Sequence, residues 1–216
     1  EGGVSAPGPD LPGSDVPESA SIPLAGSSDV DLRKLPQTGH ANKKLMPEMA
    51  GPKDDTLNGE AALDSVAQSV YSVEAMPGLV KNFIGMDLQT WGAGWPPDTH
   101  GAVGPSHYIQ AVNTSMAVYD KATGNRLAAF TLNNFMGGTT GSACDVANQG
   151  DPIVLYDHYS GRWIITDFAW TSSRGPFYEC FAISKTADPV SGGWGFYQFQ
   201  VDKSSMGEYP KLCVWP

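Results

Sequence analysis

The most constraining feature of this sequence is a pattern of four short β-type segments that occurs twice in its second half. The first set comprises Gly101–Gly104, His107–Asn113, Met116–Asp120 and Arg126–Phe130, and the second comprises Pro152–Asp157, Arg162–Phe168, Phe177–Ser184 and Trp194–Phe199. The segments are rich in β-branched and aromatic residues, and turn-forming residues separate them. Each set therefore predicts a four-stranded, up-and-down antiparallel sheet.

The two sets belong to a longer repeat, because a third set begins at EYPKLCVWP. The sets start near Asp98, Asp151 and Tyr209, with spacings of 53 and 58 residues. Four strands at a period of roughly 40–60 residues are typical of a β-propeller. We predict an all-β fold, an incomplete propeller with blades at about 98–132 and 151–200 and a third beginning at about 208. A β-sandwich is the alternative. A propeller needs more blades, so we expect the remaining blades in a longer chain.

The first third of the chain has a different composition from the region 76–216 that holds the repeat. Of its first 28 residues 16 are Gly, Pro or Ser, and only Tyr71 among the 22 aromatic residues precedes residue 76. Such a segment buries too little apolar surface to offset its ordering entropy. We predict a disordered acidic leader over residues 1–57. Over residues 58–75, apolar residues at helical spacing from Leu63 predict a short amphipathic helix or linker.

The charge and hydropathy of the chain exclude two classes of partner. Thirteen basic against 23 acidic residues give a net charge of −10, whereas nucleic-acid binders carry a basic patch. No apolar run is long enough for a membrane-spanning helix. We therefore expect a glycan or a surface protein as the partner, with no nucleic acid and no membrane span.

Three motifs carry a resemblance to a known family. WPPDTHGAVGPSHY, GDPIVLYD and YPKLCVWP, in this order, resemble secreted, largely uncharacterised bacterial proteins with a β-propeller-like domain. The resemblance covers about residues 91–216. It implies an extracellular or cell-surface location and a longer chain, but no catalytic mechanism. The chain departs from the family pattern at Cys213, where we would expect Gly.

A weaker likeness concerns one turn. SKTADPVSGGW is similar to the Asp-box hairpins of sialidase-type propellers, with Ser184, Asp188, Gly192 and Trp194 in corresponding order. Asp188 is expected to accept backbone hydrogen bonds, and Gly192 or Gly193 to adopt a positive φ. These are structural features of a turn, so they imply no sugar-cleaving activity.

Asp98 and Asp151 are the candidate catalytic residues, because they stand at equivalent starts of the two sets. The first strand of a propeller blade lines the central channel, so the two carboxylates can converge there. Such a pair binds a cation such as calcium, or acts as acid and base on a glycosidic bond. His100 extends the group as a polar neighbour of Asp98. The alternative, which their turn contexts favour, is that each aspartate ties down its own loop.

The aromatic and cysteine residues supply the remaining candidates. Trp95 and Trp170 lie in predicted loops and offer flat faces for sugar stacking, with ring-to-ring packing as the alternative. Cys144 and Cys180 are expected to form a disulfide in a secreted protein. Cys213 then pairs beyond residue 216 or serves as a small apolar residue. No spacing of the HExxH type indicates a transition-metal site.

These observations favour one function and leave one rival. We expect an extracellular or cell-surface binding or scaffold module that recognises a glycan or a protein. The rival is an extracellular carbohydrate-active hydrolase that uses the channel-facing carboxylates. The sequence leaves the question of enzymatic activity open and leans against it.

Overall fold

A computed structural model of the chain describes residues 22–37, 78–87, 96–207 and 210–215. The elements in these ranges are the strands β1 (Gly26–Ser28), β2 (His100–Val103), β3 (His107–Val112), β4 (Ser115–Asp120), β5 (Arg126–Thr131), β6 (Gly150–Asp157), β7 (Arg162–Ala169), β8 (Phe177–Ser184) and β9 (Trp194–Asp202), the helix α1 (Leu132–Met136) and 3₁₀ turns at Leu32–Lys34 and Ala143–Asp145. The protein is therefore mostly β, with little helix.

The strands form two antiparallel sheets that follow the predicted repeat. The first sheet has the order β2-β3-β4-β5, and the second has the order β1-β9-β8-β7-β6. The eight strands predicted from the sequence are confirmed as two four-stranded meanders, with boundaries that shift by at most three residues. The period-2 alternation of apolar residues is a local signal, so it predicts strands well.

The two sheets pack face to face around one apolar core. Ile109 and Phe130 from the first sheet meet Trp163 and Ile165 from the second, and all four side chains are fully buried. The first strands, β2 and β6, lie against each other. Towards the last strands, α1 fills the space between the sheets. Its residue Phe135 contacts Phe130 of β5 (ring centroids 5.3 Å) as well as Trp194 (5.0 Å) and Phe196 (5.3 Å) of β9.

A segment of the expected leader is part of this fold. Residues 22–37, named here the strap, add β1 to the edge of β9 and place Leu32 in the core with 2% of its surface exposed. The expected disorder over residues 1–57 is thus wrong for the strap. The edge of β9 offers unpaired backbone groups, and one buried leucine offsets part of the ordering entropy. The rest of the leader and the helix expected over 58–75 lie outside the described residues.

The predicted disulfide is confirmed. Cys144, in the 3₁₀ turn after α1, bonds to Cys180 in β8, with the two Cα atoms 5.8 Å apart. The bond pins the connection between the two sheets to the centre of the second sheet. Cys213 is exposed and free.

The predicted chemistry of the β8–β9 turn is also confirmed. The Asp188 carboxylate accepts hydrogen bonds from the Val190 N–H (2.8 Å) and the Ser191 N–H (3.3 Å), and Gly193 has a φ of 77°. The Trp194 indole donates to the Pro189 carbonyl (2.9 Å) and is buried. This turn is a structural cap that aligns β8 with β9.

The outer faces of the two sheets, which point away from the shared core, differ. Residues 78–87 lie across the outer face of the first sheet, where Met86 and Phe83 pack on Tyr108 and Tyr119. The outer face of the second sheet carries an apolar groove of about 470 Å³, lined by Ile22, Leu155, Ile164, Phe181, Ile183, Tyr197, Phe199, Leu212 and Cys213. Across the described ranges, no helix has the length and apolarity to cross a membrane.

Candidate functional site: a cavity at the starts of the repeats

The candidate residues from the sequence border a cavity of about 270 Å³. Three chain segments line it, namely Asp98 to His100, Asp151 to Ile153 and Pro210 to Leu212. Each segment stands at or beside one of the predicted repeat starts. The structure therefore brings Asp98, His100 and Asp151 together, although 53 residues separate the two aspartates in the sequence.

The two aspartates share an unusual backbone conformation. Asp98 has a φ of 38° and Asp151 a φ of 52°, whereas every other described residue with a positive φ is glycine. Residues other than glycine rarely adopt this left-handed backbone conformation, but Asp and Asn tolerate it better than most. Each aspartate thus turns the chain sharply as it enters the first strand of its sheet. The matched conformation is a structural equivalence between the two repeats.

A buried asparagine holds both aspartates. Asn113 follows β3 and is 7% exposed. Its Nδ2 donates to Asp98 Oδ2 (2.5 Å) and, at a longer distance, to Asp151 Oδ1 (3.5 Å). Its Oδ1 accepts from the Asp151 N–H (2.6 Å). The aspartates therefore help to fix the turns at the strand entries through Asn113, a residue of another loop, rather than each within its own loop.

His100 connects the first strands of the two sheets. Its Nδ1 accepts a hydrogen bond from the Val154 N–H (3.1 Å). An imidazole nitrogen that accepts carries no proton, so the neutral ring must hold its proton on Nε2. The ring is half-buried and borders the cavity. His100 can offer one N–H donor to a ligand while it stays in place.

Two acidic groups with altered pKa values lie outside the cavity lining. Burial raises the pKa of Asp167 well above its usual range, although the Gly150 N–H donates to this carboxyl (3.0 Å). Burial also raises the pKa of Glu179, on the outer face of the second sheet, to about 7. Neither residue borders the space between Asp98 and Asp151. Both carboxyl groups nevertheless lie near Asp151, because the charge of Asp151, after burial, also contributes to raising their pKa values.

The arrangement gives no support to a calcium ion between the aspartates. Asn113 directs an N–H group towards both carboxylates, and a cation requires oxygen ligands in that direction. Among the described residues, no group of three or more His, Cys, Asp or Glu side chains can hold a metal.

The two candidate tryptophans have different outcomes. Trp95 lies outside the described residues, and Trp170 does not line the cavity. Trp170 is half-buried and packs on Phe177, with ring centroids 5.4 Å apart, and on Phe168, at 6.4 Å. Its backbone N–H donates a hydrogen bond to the side-chain oxygen of Gln149 (3.2 Å). These contacts are of the ring-to-ring kind that the sequence left open as the alternative, and sugar stacking on either tryptophan stays a prediction.

Asn113 is the residue of the site that sequence reasoning missed. In the sequence it stands in an Asn-Thr-Ser triplet that matches a glycosylation motif, and nothing local indicates contacts with residues 98 and 151. Its burial and its hydrogen bonds give it a structural role instead. Comparison of the chain with models of protein families, with curated proteins and with solved structures found no match to any of them.

Proposed function

We propose that the two sheets are adjacent blades of a β-propeller and that the chain is an extracellular or cell-surface binding or scaffold module. Its ligand site is the cavity that Asp98, His100 and Asp151 border. The observation that carries this proposal is the convergence of all three repeat starts on one cavity. In a propeller the first strands of successive blades surround the central channel, where ligands commonly bind.

The packing of the sheets supports the same arrangement. The first strands, β2 and β6, are in contact, while Phe135 of α1 separates β5 from β9. Adjacent blades of a propeller are likewise close at their first strands and farther apart at their last strands. The apolar groove on the second sheet is a surface on which a third blade can pack. Leu212 and Cys213 already border it, so we infer that further blades of a longer chain follow.

The disulfide and the resemblance to secreted bacterial proteins support the proposed location. Cys144 and Cys180 form a buried disulfide, and such bonds persist mainly in oxidising compartments outside the cytosol. We therefore propose that the protein acts outside the cell or on its surface.

The chemistry of the cavity favours a glycan over other ligands. Asp98 and Asp151 supply carboxylate acceptors for sugar hydroxyl groups, and His100 supplies an N–H donor. Pro152 and Ile153 add an apolar wall that suits the C–H face of a sugar ring. A few polar groups beside apolar side chains are the usual composition of a small-molecule site. A protein ligand that presents hydroxyl groups is the second possibility within the same proposal.

One observation favours a hydrolase as the rival function, because two carboxyl groups and an imidazole border the same cavity. Glycoside hydrolysis requires one carboxyl group that stays protonated near neutral pH. The two described carboxyl groups with raised pKa values, Asp167 and Glu179, are not in the cavity lining. We therefore rank the binding module above the hydrolase.

The test is a binding measurement on the intact chain. Labelled protein is screened on an oligosaccharide array, and the best ligand is then titrated by calorimetry. Asp98→Asn and Asp151→Asn keep the size of each side chain, yet they replace one carboxylate acceptor by an amide donor. Each is expected to weaken binding by about tenfold or more, because a hydrogen bond to a charged group is worth roughly 1.5–3 kcal/mol.

Asp157→Asn is the matched control. Asp157 lies in the same strand as Asp151, but its carboxylate accepts from the Tyr159 N–H (2.8 Å) in the turn away from the cavity. This variant should bind as the wild type does. Equal binding by all three variants, with unchanged thermal unfolding, would rule out the cavity as the ligand site. Release of free sugar by the wild type, lost in Asp98→Asn, would favour the hydrolase.

A further inference from the structure

We propose that the edge of β9 and the core position of Leu32 together form a docking site for an extended peptide. This site recognises the strap, residues 22–37, and accepts the same segment from a second copy of the chain. It lies at the opposite edge of the second sheet from β6, and so from the cavity at Asp151. The proposal is therefore independent of the function proposed above.

The first part of the site is the backbone of β9. Gly26 pairs with Phe196, and Ser28 pairs with Trp194, in antiparallel register. The Ala25 N–H donates to the Phe196 carbonyl (2.8 Å) and extends the pairing by one hydrogen bond. Addition of a short strand to a sheet edge is a general mode of peptide recognition, in which backbone hydrogen bonds give affinity.

The second part of the site gives specificity for the sequence of the strap. Leu32 is 2% exposed and belongs to the core between the sheets, and its N–H donates to the Val190 carbonyl (2.9 Å). A Cβ atom at Gly26 would lie 2.1 Å from the Thr139 carbonyl oxygen, so only glycine fits there. The site thus selects glycine in a short strand and leucine six positions later, at the start of a 3₁₀ turn.

The third part of the site is on the first sheet. The Gln37 side chain accepts a hydrogen bond from the Ala129 N–H of β5 (2.8 Å) and donates to the Leu32 and Leu35 carbonyls (2.9 and 2.8 Å). A single glutamine therefore organises the end of the strap and joins it to the sheet that β1 does not touch. The strap fastens β9 and β5, the last strands of the two meanders, to each other.

The position of the strap in the chain permits exchange between copies. Forty residues, 38–77, separate it from the next described segment. A docked strap makes the same contacts on its own chain as on a second copy. The two arrangements therefore differ mainly in the effective concentration of the strap. A tethered segment has an effective concentration on the order of 1 mM. Exchange of an identical element between copies is a common route to dimers.

The test uses the full chain with a specific protease site inserted within residues 38–77. The folded protein is cleaved, and a fluorescent synthetic peptide of residues 22–37 is added in excess. We expect the cleaved N-terminal fragment to co-elute with the body in gel filtration and the peptide to replace it. A peptide with Leu32→Asp, or with Gly26→Val, should bind about tenfold or more weakly. A peptide with Lys34→Ala, an exposed position, should bind like the original.

The second copy is tested with the intact chain. Two samples, one of them labelled, are unfolded, mixed and refolded at about 1 mM, where exchange competes with the tethered strap. We expect mixed dimers from the wild type and none from the Leu32→Asp variant. Loss of the fragment upon cleavage from a body that stays folded would overturn the docking site, as would equal binding of all peptides. Failure to form mixed dimers would remove the second copy as the partner.

Discussion

The two sheets share one strand order but differ in what covers their outer faces. In the first sheet, Phe83 and Met86 from residues 78–87 close the outer face and stack on Tyr108 and Tyr119. In the second sheet, the corresponding face holds an apolar groove of about 470 Å³. Among the described residues, the outer face of the meander is thus covered in the first sheet and open in the second. The strands determine the sheet, and the segments that cross over them determine which surface is available to a partner.

The disulfide should give the largest difference between the sheets, because it anchors the second sheet alone. Replacement of Cys144 and Cys180 by Ala is expected to lower the free energy of unfolding by about 2–4 kcal/mol, mainly through loss of a constraint on the unfolded chain. Urea unfolding followed by tryptophan fluorescence measures this loss. Cys213→Ala, at an exposed position, should change the stability by less than about 0.5 kcal/mol. Equal effects from the two replacements would contradict the anchoring role.

The strands could be predicted because their sequence pattern is local, and the disulfide could be predicted because the chain has few cysteines. Alternating residues such as Trp163 and Ile165, followed by turn residues, define a strand without knowledge of its partners. Three cysteines leave only three possible pairs. The strap, in contrast, has five large apolar residues, of which only Leu32 is buried in the core. No pattern in its own sequence reveals that the core between two sheets has room for Leu32.

Gln110 should give the next largest effect, because it fixes the cover of the first sheet. Its Oε1 accepts a buried hydrogen bond from the Met86 N–H (2.7 Å). Gln110→Ala leaves that N–H without this acceptor and is expected to cost about 1–3 kcal/mol. Binding of a dye specific for exposed apolar surface should also increase, since residues 78–87 lose their anchor. Gln200→Ala, at an exposed position of β9, is the control and should change neither quantity.

Glu179 makes the stability of the second sheet depend on pH. Burial raises its pKa in the folded protein to about 7, from 4.5 when it is exposed. Between these values the folded state binds more protons than the unfolded state, so stability falls as the pH rises. A difference of one bound proton between the two states changes the free energy of unfolding by at most about 1.4 kcal/mol per pH unit. Asp167, with a pKa that burial also raises, adds a slope of the same sign.

Glu179→Gln should remove the contribution of Glu179 to that slope. The variant is expected to unfold at a higher urea concentration than the wild type at pH 8 and to differ little from it at pH 4.5, where Glu179 is largely protonated. Urea unfolding at intervals between pH 4.5 and 8 measures both quantities. Glu208→Gln, which removes the same charge at another position of the sequence, serves as the charge-matched control. A variant that kept the full slope of the wild type would show that Glu179 is not its source.

The candidate site could be predicted only in part, and for a clear physical reason. The repeat spacing placed Asp98 and Asp151 at equivalent positions, and the structure brings them to one cavity. The role of Asn113 could not be predicted, because it depends on two loops that are distant in sequence. A polar side chain that joins three segments leaves no periodic signal. The sequence therefore indicates which residues meet, while the contacts that hold them come from the structure.

A matched pair of threonine substitutions tests the difference between the outer faces most directly. Val112→Thr, on the covered face and 1% exposed, buries a hydroxyl group and should cost about 1–3 kcal/mol. Ile164→Thr, on the half-exposed face that lines the groove, should cost less than about 1 kcal/mol, because water reaches the new hydroxyl. Chemical unfolding at two protein concentrations measures both variants. If Ile164→Thr cost as much as Val112→Thr, and only at the higher concentration, a second copy of the chain would have to cover the groove in solution.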